Sequence, residues 1–178
     1  MAKIVIIGAG MMGSALAFPA RENGHEVCLV GTPLDREIIE AARATDKHLK
    51  FDRPFPAGLS YYQIEEVSEA LVGADLIIGG VSSFGVEWFR DTILPILPEG
   101  VPTLTVTKGL WDTPDGQLLT YPALWQAKLD ELGKNVPLLA VGGPCTSYEL
   151  VAHDQTHVTF CGGERELLRE VKGMMATD

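Results

Sequence analysis

Short apolar runs rich in Val, Ile and Leu recur along the chain, and the stretches between them carry apolar residues at helical spacing. A continuous short apolar run is typical of a strand buried on both faces of a sheet. Apolar residues every three or four positions indicate an amphipathic helix. The pattern predicts strands at residues 3–7, 26–30, 59–63, 76–81, 103–107, 138–141 and 157–161, and helices at 12–23, 34–44, 63–71, 84–94, 122–132 and 164–175.

Glycine and proline residues mark where these elements end. Gly24 predicts the C-terminal stop of the first helix. Pro19 lies inside that helix and removes a backbone hydrogen bond, so we expect a kink or an early end there. Pro95 is expected just beyond the end of the fourth helix. The stretch 45–60, with its prolines and glycine, predicts a loop.

Alternating strands and helices predict an α/β fold: a Rossmann-like, doubly wound, mostly parallel sheet with helices on both faces. The 178 residues are enough for one domain with a buried core, so residues 1–178 are expected to form a single dinucleotide-binding domain. In such sheets ligands bind beyond the carboxyl ends of the strands. Distinctive segments follow the predicted strands at residues 8–13, 30–32, 81–84, 107–109 and 142–144, which places them at that edge.

The first of these segments is Gly8-Ala9-Gly10-Met11-Met12-Gly13. Its spacing matches the dinucleotide fingerprint, in which Gly8 permits a tight turn, Gly10 lets a pyrophosphate approach and Gly13 allows close helix packing. The N–H groups of the following helix, including those of Met11 and Met12, would face the phosphates. The alternative is a tight strand-to-helix turn that binds no ligand.

Composition and charge narrow the function classes. Apolar residues make up 46% of the chain, no apolar run approaches the ~20 residues of a membrane helix, and no signal peptide is expected. The net charge of −10 argues against nucleic acid or an anionic membrane as partner.

The three cysteines lack metal or redox spacing and predict a reducing, cytoplasmic setting, with Cys28 and Cys161 buried in strands. The four histidines form no metal set, and His153 and His157 are expected at the surface.

Taken in order, these segments resemble NAD(P)-dependent glycerol-3-phosphate dehydrogenase. The resemblance covers essentially the whole chain but only the N-terminal half of such an enzyme. It rests on residues 8–16 (Gly-Ala-Gly-Met-Met-Gly-Ser-Ala-Leu), 81–83 (Val-Ser-Ser), 107–110 (Thr-Lys-Gly-Leu), 143–144 (Gly-Pro) and Glu149. It implies interconversion of dihydroxyacetone phosphate and sn-glycerol 3-phosphate, with the proton-transfer residue in a helical domain absent from this chain. We therefore expect the chain alone to bind cofactor but to turn over poorly or not at all.

The resemblance also implies roles for individual residues. Lys108, at the end of an apolar strand, would polarise the ketone and hold the substrate; the alternative is a strand-end lysine reaching solvent. Gly143 would shape the substrate site. The remaining residues implied at the cofactor are Ser82, Ser83, Phe84 and Glu149, for which the plain alternatives are core packing for Phe84 and a solvent-facing carboxylate for Glu149.

The end of the second strand departs from the fingerprint. An acidic residue is expected there to bind the ribose hydroxyls of NAD, and Gly31-Thr32-Pro33 stands in its place. A missing carboxylate removes repulsion of a 2′-phosphate, and Thr32 and Arg36 supply a hydrogen-bond donor and a charge. These residues favour NADP over NAD. The negative charge of Asp35 beside Arg36 weakens this preference, and the alternative for Arg36 is that it only solvates the start of a helix. Downstream, Cys145, Thr146 and Ser147 replace the small residues usual after Gly-Pro, and Thr146 or Ser147 is expected to cap a helix.

Two other functions stay open. One is a related reductase acting on another 2-oxo or hydroxy acid, similar to ketopantoate reductase. The other is a non-catalytic dinucleotide-binding module, which the short length of the chain favours. The face on which a helical domain would dock is expected to be apolar, which is consistent with a homo-oligomer.

Overall fold

The computed structural model describes residues 1–177 and has one large sheet and one hairpin. The strands are β1 (Lys3–Ile7), β2 (Glu26–Val30), β3 (Leu59–Tyr62), β4 (Leu76–Gly79), β5 (Thr103–Thr105), β6 (Leu110–Asp112), β7 (Leu118–Thr120), β8 (Leu138–Gly142) and β9 (Thr159–Gly162). The large sheet has the order β3-β2-β1-β4-β5-β8-β9. All of its neighbours pair in parallel except β8 and β9, which are antiparallel. The predicted doubly wound, mostly parallel sheet is confirmed.

The strand order reverses direction at β1, because the chain first builds outward through β2 and β3 and then returns to add β4 and β5 on the other side. The chain therefore leaves β1 and β4 toward helices on opposite faces of the sheet. Doubly wound folds bind their ligands at this switch point.

Helices cover both faces of the sheet. They are α1 (Met11–Glu22), α2 (Arg36–Thr45), α3 (Val67–Leu71), α4 (Val86–Trp88), α5 (Tyr121–Leu132), α6 (Ser147–Ala152) and α7 (Arg165–Met175). Buried residues of α1, α2, α6 and α7 belong to one hydrophobic core, and those of α3, α4 and α5 belong to the other. No helix in the described part of the chain is both long and apolar enough to cross a bilayer.

Helix α1 corrects the expectation for Pro19. The helix continues through Pro19 to Glu22, so an early end is wrong. The proline is buried and gives up only its own N–H donor, while its carbonyl still accepts from the Asn23 N–H at 3.0 Å. Gly24 follows with φ of +78°, a left-handed conformation suited to glycine, which confirms the predicted stop.

Two further elements differ from the prediction. The expected single helix at 84–94 is a succession of a 3-10 turn, α4, a π turn at Phe89–Ile93 and a 3-10 turn at Leu94–Ile96. Pro95 lies inside that last turn, where a missing N–H is tolerated, rather than beyond it. The β6–β7 hairpin went unpredicted because strands this short carry no readable alternation.

Burial separates the two cysteines predicted to lie inside. Cys28, on the interior strand β2, is fully buried. Cys161, on β9, is exposed, so the predicted burial of Cys161 is wrong. Strand β9 pairs only with β8 and forms the edge of the sheet, which leaves this side chain at the surface.

Candidate functional site

A cluster of close backbone contacts holds the glycine turn after β1. Gly8 has φ of +114°, and its N–H donates to the Val30 carbonyl at 2.8 Å. A Cβ on Gly13 would lie 2.0 Å from the Gly8 oxygen, and one on Gly80 would lie 2.8 Å from the Gly13 Cα. These contacts join the start of α1 to the ends of β1 and β4, so Gly8, Gly13 and Gly80 leave no room for side chains.

Gly10 differs from these glycines because a Cβ there would meet nothing within 4 Å. It is the N-terminal cap of α1 and makes no side-chain cap hydrogen bond, and the first turn contains no acidic residue. Within the described residues, the N–H groups of Gly10, Met11, Met12 and Gly13 have no hydrogen-bond acceptor. A helix of 12 residues that starts with free N–H groups and open space suits an anionic ligand.

Side chains from outside the turn hold Ala9, the residue between the first two glycines. The Ala9 N–H donates to Asp35 Oδ2 at 3.1 Å. The Ala9 carbonyl accepts from Ser14 Oγ at 3.0 Å and contacts His48 Nε2 at 3.2 Å. Both polar groups of this residue are therefore bound to the protein. Sequence reasoning missed His48 and counted Asp35 only as opposing charge.

The residues proposed for a 2′-phosphate lie at the start of α2. The Thr32 hydroxyl donates to Asp35 Oδ2 at 2.7 Å, so it is already paired. Arg36 pairs with Glu65, and its side chain remains 51% exposed. The Asp35 carboxylate thus reaches the glycine turn, whereas Arg36 is held by a surface ion pair.

Exposed residues follow β4, the strand that neighbours β1 in the sheet. Ser82, Ser83 and Phe84 are all exposed, and the Phe84 side chain is 98% exposed. This rules out the plain core-packing alternative for Phe84. Because Gly80 contacts Gly13, this segment begins beside the glycine turn.

Lys108 and Gly143 lie together, although 35 residues separate them in the chain. Lys108 follows β5 and is exposed, and its Nζ donates to the Gly143 carbonyl. Gly143 has φ of +118°, and a Cβ there would lie 2.9 Å from the His157 carbonyl, so this position requires glycine. The contact places an ammonium group at the carboxyl edges of β5 and β8.

Lys108 and Met12 of α1 line the same cavity, which has a volume of about 590 Å³. The apolar side chains of Leu104, Val106 and Val141 also line this cavity, and so do the basic residues Arg165, Arg169 and Lys172 of α7. A charged group at the margin of an apolar cavity is well placed to hold one oxygen of a small ligand. Within residues 1–177 no cluster of His, Cys, Asp and Glu suited to a metal ion is present.

Glu149 takes part in capping α6, the helix to which it belongs. Thr146 caps α6, as predicted, and the Glu149 carboxylate accepts from the Thr146 N–H at 2.6 Å in a capping box. These hydrogen bonds hold the pKa of the Glu149 carboxyl below its usual value. The Glu149 carboxylate therefore binds the N-terminus of α6 and does not only face solvent. His153 and His157 are exposed, as expected.

Comparison with known proteins identifies the family. The model of the NAD-dependent glycerol-3-phosphate dehydrogenase N-terminus matches residues 3–167. The NADP(+)-dependent glycerol-3-phosphate dehydrogenase of Archaeoglobus fulgidus is 32% identical over 176 residues, covering 98% of this chain and 51% of that protein. The glycerol-3-phosphate dehydrogenase [NAD(P)+] of Pectobacterium carotovorum is 31% identical, covering 98% and 49%.

The crystal structure of glycerol-3-phosphate dehydrogenase from Coxiella burnetii has the same fold, with a TM-score of 0.82 at 23% identity; the match covers 99% of this chain and 51% of that one. The chain spans about half the length of the curated relatives it matches. Since the family model extends over most of the described residues, the chain belongs to the family defined by the N-terminal domain of NAD-dependent glycerol-3-phosphate dehydrogenases.

Proposed function

We propose that this chain is the cofactor-binding half of an oxidoreductase that interconverts dihydroxyacetone phosphate and sn-glycerol 3-phosphate with NAD(P)H. The observation that carries the proposal is the open N-terminus of α1 over the glycine turn, at the switch point of the sheet. The family match favours this substrate over the 2-oxo acids of ketopantoate-like reductases.

The residues fit a dinucleotide in two parts. The free N–H groups of Gly10, Met11, Met12 and Gly13 would bind the pyrophosphate, with Gly8 and Gly13 keeping the backbone close. Exposed Ser82, Ser83 and Phe84 would contact the ribose and ring system from the β4 side. Glu149 is proposed toward the amide end of the cofactor, acting through its cap on α6.

Lys108 is the proposed catalytic and substrate-binding residue. The bound nicotinamide supplies hydride chemistry, and the chain supplies placement and charge. The Lys108 ammonium, oriented by the Gly143 carbonyl, would hold and polarise the C2 oxygen at the margin of the cavity. The proton-transfer residue is expected outside this chain, so the 178-residue chain should bind cofactor and reduce substrate poorly.

We propose NADP over NAD because of Arg36. The Asp35 carboxylate, which would repel a 2′-phosphate, already accepts from Ala9 N, Thr32 N and Thr32 Oγ1. Arg36 is half exposed and could exchange Glu65 for the phosphate. The NADP(+) dependence in the name of the Archaeoglobus relative agrees with this preference.

Calorimetric titration of the purified chain with NADPH and NADH tests both the cofactor site and the NADP preference. We expect binding of both, tighter for NADPH, and an Arg36→Ala variant should weaken NADPH binding about tenfold with little change for NADH. Arg43→Ala is the matched control, because Arg43 also lies on α2 and pairs with Glu66. Absence of binding by the unaltered chain would contradict the cofactor site, and equal affinities would contradict only the NADP preference.

We also propose a cellular compartment and a partner for this protein. The three thiols are free, which suits a reducing compartment such as the cytoplasm. The partner is a small phosphorylated substrate, and self-association remains a proposal that sedimentation of the purified chain would test.

A further inference from the structure

His48 lies outside every motif that the sequence singled out, yet it reaches the glycine turn. It follows α2 in the segment leading to β3, and it is 3% exposed. Its ring lies 4.4 Å from that of Phe51 and 6.4 Å from that of Phe55, measured between centroids. A histidine enclosed by aromatic rings needs its polar atoms satisfied.

The hydrogen bonds assign the tautomer of this ring. Nδ1 accepts from the Lys50 N–H at 3.1 Å, so the proton of a neutral ring is on Nε2. Nε2 therefore donates to the Ala9 carbonyl at 3.2 Å. Burial lowers the pKa of His48, and of the charged groups near it Lys50 lowers the pKa further while Asp35 raises it.

The Ala9 carbonyl belongs to the peptide that also carries the Gly10 N–H. In a trans peptide the C=O and N–H point in opposite directions. Ser14 Oγ and His48 Nε2 bind the carbonyl on the protein side, so the Gly10 N–H points away from them. A Cβ at Gly10 would meet nothing within 4 Å, so there is open space beside this residue.

We infer that His48 is a positioning residue of the cofactor site: it orients the Ala9–Gly10 peptide so that the Gly10 N–H faces the diphosphate of a dinucleotide. The inference rests on the proposed function, because it assumes that the glycine turn binds such a diphosphate. The hydrogen bond from His48 to the turn goes to the Ala9 carbonyl, so His48 acts through the backbone. Donors fixed before binding do not have to be ordered by the ligand, which improves affinity.

The test compares NADPH affinity in variants of the purified chain with their melting temperatures. His48→Phe removes the Nε2 donor, and we expect the Kd for NADPH to rise about five- to tenfold. His48→Gln places an N–H near the same position and should restore the Kd to within about twofold of the unaltered chain. Ser14→Ala, which removes the other donor to the same carbonyl, should weaken binding in the same direction.

Phe55→Leu is the control, because Phe55 packs in the same aromatic cluster but its side chain has no donor for the Ala9 carbonyl. It should lower the melting temperature and leave the Kd unchanged. Equal Kd values for folded His48→Phe and the unaltered chain, or equally weak Gln and Phe variants, would overturn the inference alone. If the unaltered chain fails to bind either cofactor, the proposed function falls first and the inference with it.

Discussion

Gly10 and Gly13 illustrate how one residue type meets different requirements within a single turn. Gly13 is needed by the fold, because a Cβ there would lie 2.0 Å from the Gly8 oxygen. Gly10 has φ of −64° and open space around its Cα, so the fold itself would accept a side chain. A glycine that the fold does not need points to a ligand that does need it.

We predict that Gly10→Ala weakens NADPH binding at least tenfold without lowering the melting temperature. The added methyl group would occupy the space in which the pyrophosphate approaches the backbone, whereas its φ suits alanine. Calorimetric titration and thermal unfolding of the same sample would measure both effects. Unchanged affinity in this variant would argue against a diphosphate at the turn.

Gly13→Ala provides the contrast. Its methyl group would collide with backbone that cannot move independently of β1 and β4, and we expect a loss of about 3 kcal/mol or failure to fold. A stable Gly13→Ala chain would show that α1 sits farther from the turn than the structure places it.

At the scale of elements, α6 shows how a turn that carries candidate site residues is held in place. Gly143 needs its left-handed conformation, and a few residues later Thr146 and Glu149 close a capping box at the start of α6. The box satisfies N–H groups that would otherwise be unpaired at the N-terminus of a six-residue helix. It thereby anchors the segment whose Gly143 carbonyl binds Lys108.

We predict that Thr146→Ala lowers the free energy of unfolding by about 1 kcal/mol, the usual effect of losing a helix cap. Urea denaturation would measure it, with Thr92→Ala, on an exposed helical position, as the comparison. Because the pKa of Glu149 is lowered in the folded chain, its stabilising effect is present above the carboxyl's ordinary pKa and is lost as the pH falls. A difference between Thr146→Ala and the unaltered chain that stays constant down to acid pH would contradict this coupling.

At the scale of the whole molecule, burial rather than strand membership decides the chemistry of the cysteines. Cys28 and Cys145 are at most 6% exposed, and Cys161 on the sheet edge is exposed. Burial also raises the pKa of the Cys28 thiol, which leaves even less of the reactive thiolate.

A thiol reagent should therefore modify one cysteine quickly in the native chain and all three after denaturation. Cys161→Ser should abolish the fast phase and leave the slow phases intact. Rapid modification of a second thiol in the native chain would show that β8 or the Gly143 turn opens more readily than the structure indicates.

The sequence by itself determined the elements whose signals are local. The apolar runs of β1, β2 and β4, the Gly24 stop and the Thr146 cap depend on residues close in the chain, so periodicity and capping rules suffice. Alternation of strands and helices likewise predicted the doubly wound sheet, because parallel strands need helical crossovers. The glycine spacing and the family resemblance predicted a site at the carboxyl edge of the sheet.

Only the tertiary structure decided which distant groups meet there. The direction of β9 and the exposure of Cys161 depend on which strands lie beside β9 in the sheet. The contact between Lys108 and Gly143 joins segments that are 35 residues apart in the chain. The contact between His48 and Ala9 joins segments that are 39 residues apart. No local pattern encodes such contacts, because they arise only when the packed sheet and helices bring the two loops to one place.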